Sequence, residues 1–488
     1  MIQFVLSNDE YQYDIHSLVK AFYPKDQIKF VMEEDLEESA KLQIYLHLNQ
    51  DMIQMKAMQG IKEIYSMQEF ADSGNKSSYR NILKRMIYNG LSLITKKELP
   101  WGTLTGVRPT KLALDRLEQG ISRAEIENFM SREYLCSKEK IDTSLQVAER
   151  EITLLQEMDY KNGYSVYIGI PFCPSTCLYC SFTSYSSEKF GNLIQKYLEA
   201  LYQEITFAGT CFRDKKLTTV YFGGGTPTTL SEVQLDLLLQ HVENTFDFTY
   251  VKEYTVEAGR PDSITYDKLR VLKKHGVSRI SINPQTMRQK TLDLIGRKHT
   301  VEQVVDAFHM ARQLGHENIN MDIIIGLPGE DKDDVAYTLR EIDKLQPDSL
   351  TVHTLALKRA ARLNTEKSNY EDLTPTDTKA MLHLTEEYTK KAGYLPYYLY
   401  RQKNMAGNLE NIGYAKFGKE GLYNILIMEE KQTIVALGAG ASSKFVFPDE
   451  NRLERVENVK SLKDYIERIN EMIERKRSFL LHNELLSM

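Results

Sequence analysis

Between residues 166 and 353 one pattern recurs six times: a short apolar run of strand character, then a segment with helical periodicity. The runs occupy residues 166–170, 218–222, 253–257, 279–282, 319–325 and 349–353. Parallel strands need long crossovers, and a right-handed helical crossover in every connection leaves two arrangements, a barrel or an open doubly wound sheet. Six such units make three quarters of an eight-unit barrel. The expected fold is α/β: a partial (β/α)6 TIM-type barrel over residues 161–360, with an N-terminal α/β extension and a C-terminal antiparallel and helical cap.

The flanks carry weaker patterns. Residues 2–6, 28–31 and 42–48 read as strands and 13–22 as a helix, and the alternation in 42–48 suggests a half-buried antiparallel sheet. With a helical segment at 79–95, this forms the extension, residues 1–95. Residues 99–110 are rich in turn formers and hold the only tryptophan, Trp101, so 96–160 reads as a linker plus helices packing on the barrel. Residues 361–488 are expected to cover the substrate. In them Thr374 and Pro375 cap a helix to 391, segments 394–401, 421–429 and 433–437 form an antiparallel extension, and 461–477 is a terminal helix.

Composition excludes several classes. The 488 residues carry a net charge of −6 with acids and bases interspersed, so there is no nucleic-acid footprint. No stretch approaches the ~20 apolar residues of a membrane span. The start, Met1 to Leu6 followed by Ser7-Asn8-Asp9-Glu10, lacks the pattern of a signal peptide. Five cysteines, three of them clustered, do not make a disulfide framework, and a reducing cytoplasm is the expected compartment.

The clustered cysteines follow the first strand directly. Cys173, Cys177 and Cys180 stand in a C-x3-C-x2-C loop, at the barrel end where chemistry gathers. Three thiolates can hold three irons of a [4Fe-4S] cluster and leave the fourth open; a zinc knuckle would need a fourth ligand, for which only Cys136 and Cys211 remain among the cysteines. Gly223-Gly224-Gly225-Thr226-Pro227-Thr228 follows the second strand, and its glycines let backbone approach a ligand, or simply make a tight turn. The third strand ends at Glu257, the fourth leads to Asn283-Pro284-Gln285 and then Arg297, and the fifth contains Asp322 before Gly326-Leu327-Pro328-Gly329. Singly these make ion pairs or caps; together they ring one opening with an amide, two carboxylates and a guanidinium.

This ordered set, over roughly residues 160–360, resembles the radical S-adenosylmethionine enzymes of the oxygen-independent coproporphyrinogen III oxidase type. The resemblance implies that Cys173, Cys177 and Cys180 bear a [4Fe-4S] cluster whose open iron takes S-adenosylmethionine. It implies contacts to S-adenosylmethionine, one or two molecules, from Gly224, Gly225, Thr226, Glu257, Gln285, Arg297, Asp322 and Ala356, with Tyr167 and Tyr179 bordering it. A guanidinium holding a carboxylate in a fork, and a carboxylate accepting ribose hydroxyls, fit those types.

The segments Trp101 to Lys111 and Tyr397 to Asn408 extend the resemblance to the coproporphyrinogen dehydrogenase subgroup with a long N-terminal extension. It implies decarboxylation of two propionates of coproporphyrinogen III to vinyl groups by a 5′-deoxyadenosyl radical, a tetrapyrrole substrate, and a low-potential donor such as flavodoxin or ferredoxin. Arg108, Lys111, Lys358, Arg359, Arg401 and Lys403 are candidates for the propionates and Tyr397, Tyr398 and Tyr400 for the rings, against a solvated basic rim over an aromatic packing cluster. Gly169 and Phe182 stand where characterised dehydrogenases carry histidine and cysteine. Cys180-Ser181-Phe182 is similar instead to the haem-chaperone branch, whose C-terminal His-Asn pair is here Glu410-Asn411 or Asn408-Leu409. A haem-trafficking protein, or a radical methyltransferase or ring-opening enzyme acting on haem, are the alternatives.

Overall fold

The computed structural model describes residues 1–37, 39–106, 108–180, 184–356, 377–402 and 409–485. The chain divides into two units, residues 1–149 with 400–410, and residues 150–399 with 411–488.

In the first unit, β1 (Ile2–Leu6), β2 (Ile28–Val31), β3 (Leu42–Leu48), β4 (Met52–Gln59) and β5 (Lys62–Phe70) form one sheet in the order β2-β1-β3-β4-β5. β1 is parallel to β2 and β3, while β3, β4 and β5 pair antiparallel. The sheet is therefore mixed, not antiparallel throughout, because a helix (Gln12–Phe22) and not a tight turn joins β1 to β2. Phe4, Leu18, Val19, Ile44, Ile53, Leu83 and Ile87 share one core beneath that helix and Lys76–Thr95. Asn75 starts the second helix by accepting the Ser78 amide at 3.1 Å.

The stretch expected as linker sends Trp101, Thr103 and Thr110 into the interior. Trp101 is fully buried, its Nε1 donating to Glu410 Oε2 at 2.6 Å while Lys140 Nζ lies 2.8 Å from Glu410 Oε1. The helical stretch after it is three helices, Lys111–Glu118, Arg123–Tyr134 and Lys138–Gln156, broken at Gly120 (φ 77°) and at Leu135 (φ 56°).

The second unit holds β6 (Gly163–Ile170), the short pair β7 (Phe172–Cys173) and β8 (Tyr185–Ser186), then β9 (Lys216–Gly224), β10 (Glu253–Gly259), β11 (Arg279–Ile282), β12 (Ile319–Ile325) and β13 (Ser349–Thr354). After them come β14 (Leu395–Tyr400), β15 (Asn411–Ala415), β16 (Thr433–Leu437), β17 (Ser442–Phe447) and β18 (Arg452–Glu457). The large sheet runs β14-β15-β13-β12-β11-β10-β9-β6-β16-β17-β18. Its middle, β6 to β13 in chain order apart from the short pair, is six parallel strands, as the repeat requires. Helices between them start at N-caps: Ser231, Thr300 and Asp331 each close a capping box.

Among the described residues no pairing joins β14 to β18, so the sheet is an open partial barrel extended on both edges. β15 extends β13 antiparallel, whereas β16 runs parallel to β6 on one side and pairs antiparallel with β17 on the other, so the antiparallel part of that edge begins only at β17 and β18. Residues 421–429 are not strand either: Leu422–Glu429 is a helix burying Tyr423, Ile425 and Leu426. A short run rich in Leu, Ile and Tyr has no period to tell a buried strand from a buried helix. The terminal helix is two, Leu462–Glu467 and Ile469–His482. Thr374 and Pro375 lie outside the described residues; the helix expected after them spans Thr378–Lys391.

Candidate active site

One face of the six parallel strands is polar, at a spacing of two residues: Ser165 and Tyr167, Thr219 and Tyr221, Thr255 and Glu257, Arg279 and Ser281, Asn320 and Asp322, Thr351 and His353. Hydrogen bonds link side chains along it. Thr219 Oγ1 donates to Ser165 Oγ (2.7 Å), Tyr221 Oη to Glu257 Oε1 (2.5 Å), Arg279 Nη2 to Ser349 Oγ (2.9 Å) and Asn320 Nδ2 to Asp322 Oδ1 (2.7 Å). Tyr167, Glu257 and Asp322, all candidates from sequence, lie on this face. Tyr167, Tyr221 and Tyr423 stack there, with ring centroids 6.2, 6.2 and 4.3 Å apart.

At the C-terminal ends of the strands sits the cysteine loop. Cys173 closes β7, and the loop beyond is tied by Leu178 N to Ile295 O (2.9 Å), Cys180 N to Cys177 O (3.2 Å) and Tyr185 N to Pro171 O (2.8 Å). The glycine turn lies directly against it: Gly225 N donates to Ile170 O and Thr226 N to Phe172 O, each at 2.7 Å, and Thr226 Oγ1 reaches Cys173 Sγ at 3.6 Å. Gly224 adopts φ 105°, open to glycine but not to ordinary side chains. A Cβ on Gly225 would stand 2.6 Å from Phe172 O, 2.9 Å from Ile170 O and 3.0 Å from Cys173 Sγ. Two of these neighbours are backbone and cannot swing aside. Gly225→Ala is therefore expected to destabilise the unit by about 1–3 kcal/mol and to lower iron uptake on reconstitution; wild-type iron content and wild-type urea midpoint would show the turn has slack.

Arg297 is buried and donates through Nη1 to Asn283 O at 2.6 Å; Tyr179 and Cys177 are the groups whose charge its guanidinium faces. Gln285 holds a left-handed backbone (φ 67°) that stitches β12 on both sides, its N–H donating to Asp322 O and its carbonyl accepting from Ile324 N, each at 2.9 Å. A non-glycine residue there carries strain on the order of 1 kcal/mol, a feature that clusters at functional sites. Ala356 lies half-buried two residues past β13.

The two carboxylates are set apart electrostatically. Burial pushes Glu257 up to about 7, with Asp322 adding to the rise and the Tyr221 hydrogen bond opposing it. Burial would raise Asp322 also, but His353, Asn320 and Thr351 outweigh it and hold that carboxyl below its ordinary range. One carboxylate is thus poised near neutrality and the other stays ionised.

The unmet groups describe what the site would take. Among the described residues the buried atoms Gln285 Oε1, Asn283 Oδ1 and Arg297 Nε lack hydrogen-bond partners. Three thiols backed by cationic Arg260 and Arg297, with an orphaned amide oxygen and a guanidinium N–H beside them, fit a thiolate-held iron cluster and a ligand bearing a carboxylate and hydroxyls.

Other sequence candidates fall elsewhere. Tyr397 and Tyr398 are buried, with Tyr397 Oη accepting from Asn424 Nδ2 at 3.3 Å. Arg401 is buried in the first unit, donating to Leu104 O at 2.6 Å, and burial lowers it to about 10 against the pull of Glu410. Arg108 is half-buried and Lys111 exposed. Phe182, Lys358, Arg359 and Lys403 lie outside the described residues. The structure adds residues the sequence reading passed over: Tyr221, the donor to Glu257; His353, 3.7 Å from Asp322 Oδ2; and Arg260. The first two are marked by sharing the alternating polar face; Arg260 carries no such signal.

Comparison with known proteins agrees with this geometry. Residues 167–342 match the radical SAM superfamily. The chain is 42% identical to the oxygen-independent coproporphyrinogen-III oxidase-like protein HemZ of Bacillus subtilis over 431 residues, 86% of this chain and 85% of that one. It is 32% identical to the heme chaperone HemW of the same bacterium over 280 residues, 57% of this chain and 70% of that one. Its fold is similar to the solved coproporphyrinogen III oxidase HemN of Escherichia coli, with a TM-score of 0.52 at 23% identity, covering 66% of this chain and 73% of that one. The superfamily supports an enzyme and implies a [4Fe-4S] cluster and S-adenosylmethionine. With 42% identity carried across most of both chains, the chain belongs to the oxygen-independent coproporphyrinogen III oxidase-like family of radical SAM proteins.

Proposed function

We propose that this chain is a coproporphyrinogen III dehydrogenase, converting two propionates to vinyl groups with release of two CO2 and giving protoporphyrinogen IX in haem biosynthesis. The observation that carries the reading is the abutment of the cysteine loop and the glycine turn beside an alternating polar face, in a chain related along most of its length to a coproporphyrinogen-III oxidase-like protein. Cys173, Cys177 and Cys180 would hold the cluster. Loaded, the site supplies an electron that cleaves S-adenosylmethionine to a 5′-deoxyadenosyl radical. Residues 161–360 would form the catalytic barrel and 361–488 the part covering the substrate; a low-potential flavodoxin or ferredoxin would be the donor, and the cytoplasm the compartment.

In this reading the chain's residues bind and orient. Arg297 offers its unpartnered Nε to the methionine carboxylate, Gln285 its free carbonyl oxygen, and Glu257 and Asp322 accept from hydroxyl or ammonium groups. Gly224, Gly225, Thr226 and Ala356 give backbone access, and the Tyr167 stack and Tyr179 wall the space. Ionised Glu257 accepts hydrogen bonds that protonated Glu257 does not. Because its proton leaves at about 7, affinity for S-adenosylmethionine should rise about tenfold from pH 6 to pH 8. The sign for stability is opposite: a raised carboxyl stabilises the ligand-free fold below pH 4.5, and that contribution is lost as pH rises through about 7. Glu257→Gln should flatten both profiles; equal slopes in variant and wild type would remove Glu257 from the site.

The haem-chaperone reading is favoured by the two-branch kinship but opposed by one pair. Glu410 is taken up by Trp101 and Lys140, and Asn411 Oδ1 accepts the Thr354 amide at 2.8 Å. An anaerobic assay separates the readings. Reconstituted protein with reductant, S-adenosylmethionine and coproporphyrinogen III should release two CO2 per protoporphyrinogen IX. Tight haem binding or methyl transfer without a vinyl product would establish an alternative.

A further inference from the structure

Arg260 stands just past β10, and nothing in the family resemblance assigns it. It is 3% exposed and its backbone is pinned, the N–H donating to Ala258 O (2.6 Å) and the carbonyl accepting from Ser263 Oγ (2.7 Å). Its guanidinium works as a two-sided fork. On one side Nε and Nη2 hold both carboxylate oxygens of Asp262, at 3.0 and 2.6 Å. On the other, Nη1 faces the cysteine loop, donating to Ser175 O (2.8 Å) and Ser175 Oγ (2.9 Å) and reaching Cys177 Sγ at 3.8 Å.

That arrangement exceeds what a loop clamp needs. The two Ser175 bonds alone fix the loop, which Leu178 N and Ser175 Oγ also anchor on the turn at residues 295–297. The contact with Cys177 adds a fixed positive charge and an N–H at a sulfur that three-cysteine ligation would make a thiolate. Hydrogen bonds to cluster sulfurs and local charge are among the determinants of an iron-sulfur potential. A donor stabilises the more negative, reduced state, and Asp262 limits the effect by keeping the fork half-neutralised. Arg is the residue suited to this, because a planar fork can serve a carboxylate and a sulfur at once and Lys cannot.

We propose that Arg260 is a positioning residue that raises the reduction potential of the cluster held by Cys173, Cys177 and Cys180, by donating to the Cys177 sulfur from an orientation fixed by Asp262. The proposal rests on the reading of those cysteines as the cluster ligands. It makes one-electron reduction by a donor of modest potential easier, without touching S-adenosylmethionine or substrate.

The test is a redox titration followed by electron paramagnetic resonance on anaerobically reconstituted protein, with iron and sulfide measured first. At the wild-type midpoint, Arg260→Gln should show a reduced-to-oxidised ratio about tenfold lower, a shift of about 59 mV to more negative potential for a one-electron couple. Asp262→Asn, which unburdens the guanidinium, should move the potential the other way. Ser175→Ala loses clamp bonds but keeps the N–H to sulfur, and should titrate with wild type. If Arg260→Gln takes up less iron than wild type, Arg260→Lys is titrated in its place and should shift in the same direction by less. A wild-type midpoint in whichever of the two holds a full cluster overturns the proposal, as does failure of both to load while the apoprotein remains folded. Absence of any cluster in wild-type protein would instead remove the ligand assignment beneath it.

Discussion

Cys177→Ala is expected to reduce cleavage of S-adenosylmethionine to background, a loss of about 10^3-fold or more, given that enzymes typically supply 10^6-fold or greater acceleration. The reasoning is one of ligand count. Three thiolates leave one iron open, whereas two leave a cluster without a stable seat. In the same unit the one further cysteine, Cys211, ends the helix Ile194–Cys211 and lines a groove with Tyr202, Phe207 and Arg477. It is not in the loop. The fold should survive the change. Cys177 contributes little apolar area, and Arg260 retains Ser175 and Asp262 while Arg297 retains Asn283 O. Far-ultraviolet circular dichroism of the apoprotein should match wild type, and iron content should fall. Full-rate 5′-deoxyadenosine release from a variant with low iron would end the cluster-based account.

The largest effect on stability is expected from Lys476→Met. Glu204 and Lys476 are both buried and 2.7 Å apart, and the carboxylate is fully dressed, accepting from Asn458 Nδ2 (2.8 Å), Gly438 N (2.8 Å) and Tyr465 Oη (2.6 Å) as well. This network joins the helix Ile469–His482 to the turn after β16. There Gly438 (φ 104°) approaches Gly169 so closely that a Cβ would lie 2.6 Å from the Gly169 carbonyl oxygen. Removing the lysine leaves a buried charge without its counter-charge, which costs about 3–5 kcal/mol. The melting temperature of the apoprotein should fall by roughly 6–15 °C. Adding Glu204→Gln to the same chain should recover part of it, since the amide removes the buried charge while its oxygen still accepts from Gly438 N and Tyr465 Oη. A loss under about 1 kcal/mol in urea would mean that water reaches the carboxylate.

The middle of the fold was legible because its signals are local. Residues 279–282 and 319–325 are strands in the structure with the bounds their apolar runs suggest, and the cysteine loop lies past the first strand as barrel chemistry demands. The edges were not legible. β16 pairs with β6 across more than 250 residues, and nothing in Thr433 to Leu437 marks that partner or its parallel direction. Leu422–Glu429 carries strand-like residues on a helix whose burial, not its propensity, decides its form. β4 and β5, turning at Gly60, are built from Met, Gln and Lys alternation that reads weakly as strand.

The site divides in the same way. Glu257, Gln285, Arg297 and Asp322 are candidates by their order along the chain; in the structure Glu257 and Asp322 share the polar face, Gln285 N donates to Asp322 O and Arg297 to Asn283 O. Tyr221 and His353 were open to discovery from the period-two polar face. Arg260 was not, because its contact with Ser175 spans 85 residues and its neighbours Gly259, Pro261 and Asp262 spell only a turn. Gln285's left-handed backbone is likewise invisible before the strand bridge that imposes it.

The central claim is that this site generates a radical that acts on a propionate. Its most direct measurement is the fate of deuterium from coproporphyrinogen III labelled at the propionate β-carbons, incubated anaerobically with reconstituted protein, S-adenosylmethionine and reductant. The account predicts deuterium in 5′-deoxyadenosine together with a vinyl-bearing product that has lost CO2. Unlabelled 5′-deoxyadenosine with intact propionates would contradict it.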